Sequence, residues 1–261
     1  MIDTHSHIYE PEFDLDRDDV VARAKAVGLE CLLLPAIDSA SDERLFATCR
    51  RYGDYVVPMM GLHPTSVNDN PSWCEELLRV ERYLAAPPQG IGHFCAVGEI
   101  GLDLYWSREW REEQLEAFRQ QLEWSLAYDL PVVIHTRDAW DDMVAVIGEY
   151  RNRGLRGVFH AFSSDVACYE QLRACGDFLF GIGGVVTFKK SPLADVVPSM
   201  SLDDILLETD SPYLTPVPHR GERNESSYTR FVCAKIAELH NVDYEDVVCR
   251  TTASAKRMFN L

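Results

Sequence analysis

Short apolar runs and amphipathic stretches alternate along the chain. The runs begin near Ile2, Cys31, Pro58, Cys95, Pro131, Gly157, Phe178 and Ile205. Most are Val, Ile, Leu and Phe without polar alternation, the pattern of parallel strands covered on both faces. Val20, Val21, Ala24 and Val27 make a helical stripe between two of them, closed by Gly28. Trp110, Leu115, Phe118 and Leu122 make another, with Ser107 as its cap, and Trp140, Val144 and Ile147 a third. Eight strand-helix alternations predict an α/β fold, a (β/α)8 TIM barrel. A doubly wound open sheet is the alternative, but it more typically has fewer strands. Pro58 predicts a third strand that starts at or just after it. Ser191 to Met200, with its two prolines, leaves room only for a short helix.

Composition narrows the class. The 261 residues are 46% apolar and 26% charged, which excludes a disordered or collagen-like chain. No repeat, linker or low-complexity stretch appears, so residues 1–261 read as a single barrel domain. Apolar runs such as Cys31 to Ile37 are too short to cross a bilayer. No basic-then-apolar leader precedes Asp3. The expectation is a soluble, cytoplasmic protein without a membrane partner, and a monomer. Twenty-five Lys and Arg against 42 Asp and Glu leave a net charge of −17. That surface repels a phosphate backbone and argues against a tight, sequence-specific duplex binder. Nucleic acid as a substrate stays open, because bound divalent cations reverse the sign locally. The 8 cysteines are scattered without a Cys-x-x-Cys pair, as expected of reduced thiols.

The polar residues that end the runs carry the chemistry. His5 and His7 end the first run, and positions two apart on a strand share a side. Glu99 ends the fourth, His135 the fifth, His160 the sixth and Asp210 the eighth. In a barrel all these ends form one rim. A charged carboxylate at the end of an apolar strand is costly unless paired or coordinated, so repeated placement there points to metal. Four imidazoles and two carboxylates exceed the needs of one ion, so two divalent ions are expected. Glu99 would bridge them, His5, His7 and Asp210 would complete one, and His135 with His160 the other. Zn, Mn, Fe, Ni or Mg are the candidates. Water acidified by such ions is a hydrolytic nucleophile, and Asp210 is placed to take its proton or orient it.

These residues sit in specific motifs. Ile2-Asp3-Thr4-His5-Ser6-His7, Gly61-Leu62-His63-Pro64 and Gly98-Glu99-Ile100-Gly101-Leu102-Asp103 come first. Pro131-Val132-Val133-Ile134-His135, His160-Ala161-Phe162 and Glu208-Thr209-Asp210-Ser211-Pro212-Tyr213-Leu214 follow, then Arg220-Gly221-Glu222-Arg223-Asn224-Glu225 and Thr251-Thr252. With them the chain resembles the TatD-type deoxyribonucleases, metal-dependent hydrolases of the amidohydrolase-like barrel group. The resemblance implies the same six ligands with a bridging glutamate. It also implies a phosphodiester substrate, usually DNA attacked at an end or in single strands. One departure is Ser226, where the family usually has proline; a serine can cap the same helix instead.

Three residues are candidates for substrate contact. His63 lies beyond the third strand on the ligand rim, as a phosphate contact or proton donor, or as a structural histidine. Arg223 offers a fork for phosphate oxygens, unless it pairs with Glu225 or a nearby aspartate. Lys189 follows the glycine-rich end of strand seven, where it is either a ligand contact or an ordinary solvated lysine. Asp103 either positions a ligand histidine or caps the next helix. Two other functions compete with the nuclease: hydrolysis of another ester or amide, for example an aminoacyl ester on tRNA, and a non-catalytic metal-binding role.

Overall fold

The apolar runs become eight parallel strands in the computed structural model, which describes residues 1–261. β1 (Ile2–Asp3), β2 (Cys31–Leu34) and β3 (Val56–Pro58) form one ladder. β4 (Val97–Asp103), β5 (Val132–Arg137), β6 (Arg156–Phe159), β7 (Asp177–Ile182) and β8 (Ile205–Leu207) form the other. Single bridges from Met60 to Val97 and from Ser6 to Ser211 join the two ladders at both seams. The expected barrel is therefore the fold observed. Around it run α1 (Arg17–Ala26), α2 (Asp42–Tyr52), α3 (Trp73–Ala85), α4 (Arg111–Tyr128), α5 (Trp140–Glu149), α6 (Val166–Arg173) and the one-turn α7 (Leu193–Val196). Two helices, α8 (Thr229–His240) and α9 (Tyr244–Phe259), follow β8. None of the helices is long and apolar enough to cross a membrane.

Strand alternation divides the apolar residues between two cores. Ile134, Phe159 and Phe180 face outward and join the helices' buried faces in the larger one. Ile2, Leu33, Val133, Val158, Leu179 and Leu206 point into the barrel, where Met258 and Phe259 of α9 pack against them. Side chains two positions further along a strand return to the same face. Val133 therefore leads to His135 and then Arg137, Val158 to His160, and Leu206 to Glu208. The barrel interior turns from apolar to ionisable along its own strands.

Three local expectations change. β3 ends at Pro58 instead of starting there. Proline lacks an N–H, and here only its carbonyl is used, by the backbone N–H of Cys95 at 3.0 Å. Ser107 accepts from the N–H of Glu109 in the turn before α4 and does not cap that helix. Ser226 is buried as the first residue of a 3-10 turn, the position a proline would suit, and its hydroxyl meets Ser6 at 3.3 Å.

Candidate metal centre

Glu99 occupies the middle of the rim because β4 is irregular. Gly98 pairs with Val133 and Ile100 with Ile134, which leaves Glu99 as the extra residue of a bulge. A bulge re-aims a side chain against the strand's alternation. Gly98 already faces inward, where a Cβ would press on Val133, and the bulge turns Glu99 to the same side. The glutamate is 2% exposed.

Five histidine rings surround it. Oε2 lies 3.1 Å from His5 Nε2 and 3.8 Å from His7 Nε2. Oε1 lies 2.9 Å from His135 Nδ1, 3.3 Å from His63 Nε2 and 3.8 Å from His160 Nε2. Asp210 Oδ1 is 3.4 Å from His7 Nε2 and 3.9 Å from both His5 and His160 Nε2. All six residues expected as ligands are thus brought together. Burial alone would neutralise Glu99, but the rings, His63 and His5 first, hold its carboxyl well below the usual carboxylate range.

The outer contacts of the rings set which nitrogen carries the proton. Tyr9 donates its hydroxyl to the Pro35 carbonyl at 2.8 Å, so its oxygen can only accept from His7 Nδ1, 2.9 Å away. His7 therefore presents a free lone pair at Nε2, toward Asp210 and Glu99. His63 is the opposite case. Its Nδ1 accepts from the backbone N–H of Thr65 at 3.2 Å, and burial lowers its pKa, which favours a neutral ring protonated at Nε2. That ring aims an N–H at Glu99, a donor's geometry, although its nitrogen also lies within the spacing of a metal-holding group with Glu99 and His135.

Asp103 and Glu208 hold two more rings. β4 continues through Asp103, whose Oδ2 sits 3.0 Å from His135 Nε2. Of the two readings of this residue, positioning a histidine is the one the structure supports. Glu208 is fully buried, with Oε1 3.1 Å from His160 Nδ1 and accepting from the Ala161 N–H at 2.8 Å. A Cβ on Gly181 would strike this carboxylate. Burial opposes charge on both rings, but Asp103 and Glu99 lift His135 to about 9, and Glu208 with Asp210 lifts His160 to about 10.

A cavity of about 690 Å³ opens above the cluster, within the range of small-ligand sites. His63 lines it, but Arg223 and Lys189 do not. Arg223 pairs with both oxygens of Asp16 at 2.8 and 2.7 Å, the aspartate pairing that was the alternative. Lys189 is exposed, because the 3-10 turn Gly184–Thr187 directs Val185 to the cavity and carries the lysine away. The guanidinium that does line the wall belongs to Arg137. Arg137 and Glu208 both escaped the sequence reading, although strand parity marks them: one lies two residues after His135, the other two before Asp210.

The donor set suits divalent cations. His7 offers a fixed lone pair, His5 Nε2 stands 3.2 Å from His7 Nε2, and carboxylates from β4 and from the segment after β8 converge where no lysine or arginine neutralises them. A parallel barrel with such a rim defines a metal-dependent hydrolase. Comparison with known proteins agrees. The family described as TatD related DNase matches residues 2–260, and the chain belongs to that family. It is 34% identical to the uncharacterized metal-dependent hydrolase YabD of Bacillus subtilis, over 100% of this chain and 99% of that protein. It is 32% identical to the 3'-5' ssDNA/RNA exonuclease TatD of Cronobacter turicensis, over 99% and 97%. The crystal structure of YJJV, a TatD homologue from Escherichia coli K12, superposes with a TM-score of 0.90 at 27% identity, covering 100% of this chain and 98% of that one.

Proposed function

We propose that the chain removes nucleotides from an end of single-stranded nucleic acid, as the names of its TatD relatives say of those proteins, using two divalent ions. The observation that carries the reading is the division of Glu99: Oε2 faces His5 and His7, and Oε1 faces His135 and His160. One ion would be held by His5, His7, Glu99 and Asp210, the other by Glu99, His135 and His160. Such ions supply polarisation of a phosphoryl oxygen and acidification of water.

The chain's own residues do the rest. Asp210, the most exposed carboxylate of the cluster at 16%, faces the cavity and orients the attacking water or accepts its proton. As the water oxygen bonds to phosphorus, one P–O ester bond breaks and the departing oxygen takes a proton. His63 holds an N–H at Nε2 to stabilise that oxygen or to supply the proton. Asp103, Glu208 and Tyr9 keep the ligand rings in orientation. The centre is complete within one chain and needs no second copy, and eight free cysteines suit the cytoplasm.

The test is turnover of end-labelled single-stranded oligonucleotide by protein stripped of metal and reloaded with Mg, Mn or Zn. Shortening that requires metal and disappears in Glu99→Gln is expected. A Glu99→Gln variant as active as the parent would overturn the assignment.

A further inference from the structure

An aromatic ledge stands beside the candidate centre at the mouth of the same cavity. Trp106 is 68% exposed and Tyr105 52%, with their rings edge to face at 4.9 Å. The Arg137 guanidinium lies 3.6 Å from the Tyr105 centroid and 5.6 Å from that of Trp106. It is the sole lysine or arginine side chain on the cavity wall. Both arms are short: Arg137 is two residues past His135 on β5, and Trp106 three past Asp103, which grips that histidine. The ledge therefore stands within three residues of groups that build the centre.

We propose that Arg137, Tyr105 and Trp106 seat one unpaired nucleotide next to the bond that is cut. The inference rests on the nucleic-acid reading above. Trp106 takes the base on its exposed face, and Arg137, held flat by Tyr105, turns its N–H edge to the neighbouring phosphate. The charge of the molecule favours such a seat. At −17 the molecule repels a phosphate backbone at long range, and the cavity wall offers one guanidinium, so stacking must supply much of the grip. A base inside a duplex has both faces covered and cannot use the ledge, which makes the seat a filter for single strands.

Three substrates separate the outcomes: a single-stranded oligodeoxynucleotide, the same strand with abasic positions flanking the cleaved bond, and its duplex. Trp106→Ala should raise KM for the intact strand about 5- to 100-fold, the worth of one stacked base, while Trp106→Phe keeps most of the affinity. On the abasic strand, wild type and Trp106→Ala should have equal KM. Arg137→Ala should raise KM on both strands. Wild-type KM in Trp106→Ala and Arg137→Ala, or a duplex held as tightly as the single strand, would sink the seat and leave the hydrolase reading intact. If no oligonucleotide is cut at all, that reading fails instead. Anisotropy of the labelled strand then judges the ledge: binding weakened by Trp106→Ala keeps it, and binding that is absent or insensitive to the variant removes it.

Discussion

His7 and His63 show how one side-chain type carries its proton on opposite nitrogens within a few ångströms. Tyr9 forces the proton of His7 to the outer nitrogen, and Thr65 forces that of His63 to the inner one. The two should therefore respond differently to substitution. Tyr9→Phe removes the acceptor that holds the His7 ring, so metal affinity should fall about 10- to 100-fold, as measured by competition with a chromophoric chelator. His63→Ala should leave metal content unchanged while kcat drops about 100- to 10,000-fold, the range for loss of a proton donor. A His63→Ala protein that loses its metal would make this ring a ligand. Nothing in the sequence near His7 marks Tyr9 as its partner over any other hydroxyl, because the link depends on where the Pro35 carbonyl ends up. Asp103 was equally open, since only the extension of β4 past Glu99 brings it under His135.

Elements were more legible than their junctions. Eight apolar runs announced eight strands because a strand buried on both faces leaves few polar positions to confuse its period. The bulge at Glu99 is the exception. Alternation assigns Gly98 or Glu99 to the interior, but not both, and the insertion that admits both is a property of the pairing with β5. Helix packing was hidden for a related reason: its polar fastener joins segments distant in sequence. Arg79 of α3 is buried and pairs with the buried Asp42 of α2, while a second nitrogen donates to the Gly61 carbonyl at 3.2 Å. It ties two helices to the segment that carries His63. Removing one member of a buried pair strands the other charge, so Arg79→Ala should cost about 3–5 kcal/mol. That corresponds to a melting temperature lower by roughly 6–20 °C, and Asp42→Leu added to Arg79→Met should recover much of it. A single variant that melts with the parent would show that the pair bears no load.

At the scale of the whole molecule, charge sets the response to acid and to salt. Glu225 is buried, which would raise its pKa, but Arg23 at 2.6 Å and Ser227 hold it below the ordinary value of 4.5. Asp16 is lowered chiefly by Arg223. Both carboxyls bind protons more readily in the unfolded chain, so the stability they give is complete above the ordinary carboxylate range and lost as pH falls from there through their lowered folded values. Glu225→Gln should therefore be less stable than wild type at pH 7, with the gap closing toward pH 3.5 in urea titrations. An equal gap at both pH values would remove Glu225 from the acid response. Salt should matter little to substrate capture. With one guanidinium on the cavity wall, the metal-free protein should bind a single-stranded oligonucleotide with a slope of log affinity against log salt of about −0.7, the value for a single contact. A slope several times steeper would reveal a phosphate-binding surface elsewhere on the molecule.

The seam between the first and last strands has a consequence in time. The Asp210 N–H donates to the His5 carbonyl at 2.9 Å, and Ser6 bridges to Ser211. The earliest and latest donors of the centre are thus stitched together across more than two hundred residues of chain. A polypeptide still being synthesised, or one truncated before β8, has His5 and His7 but neither Asp210 nor the ring that confines them. The centre is assembled only when the barrel closes, so a partly built chain carries no complete hydrolase site.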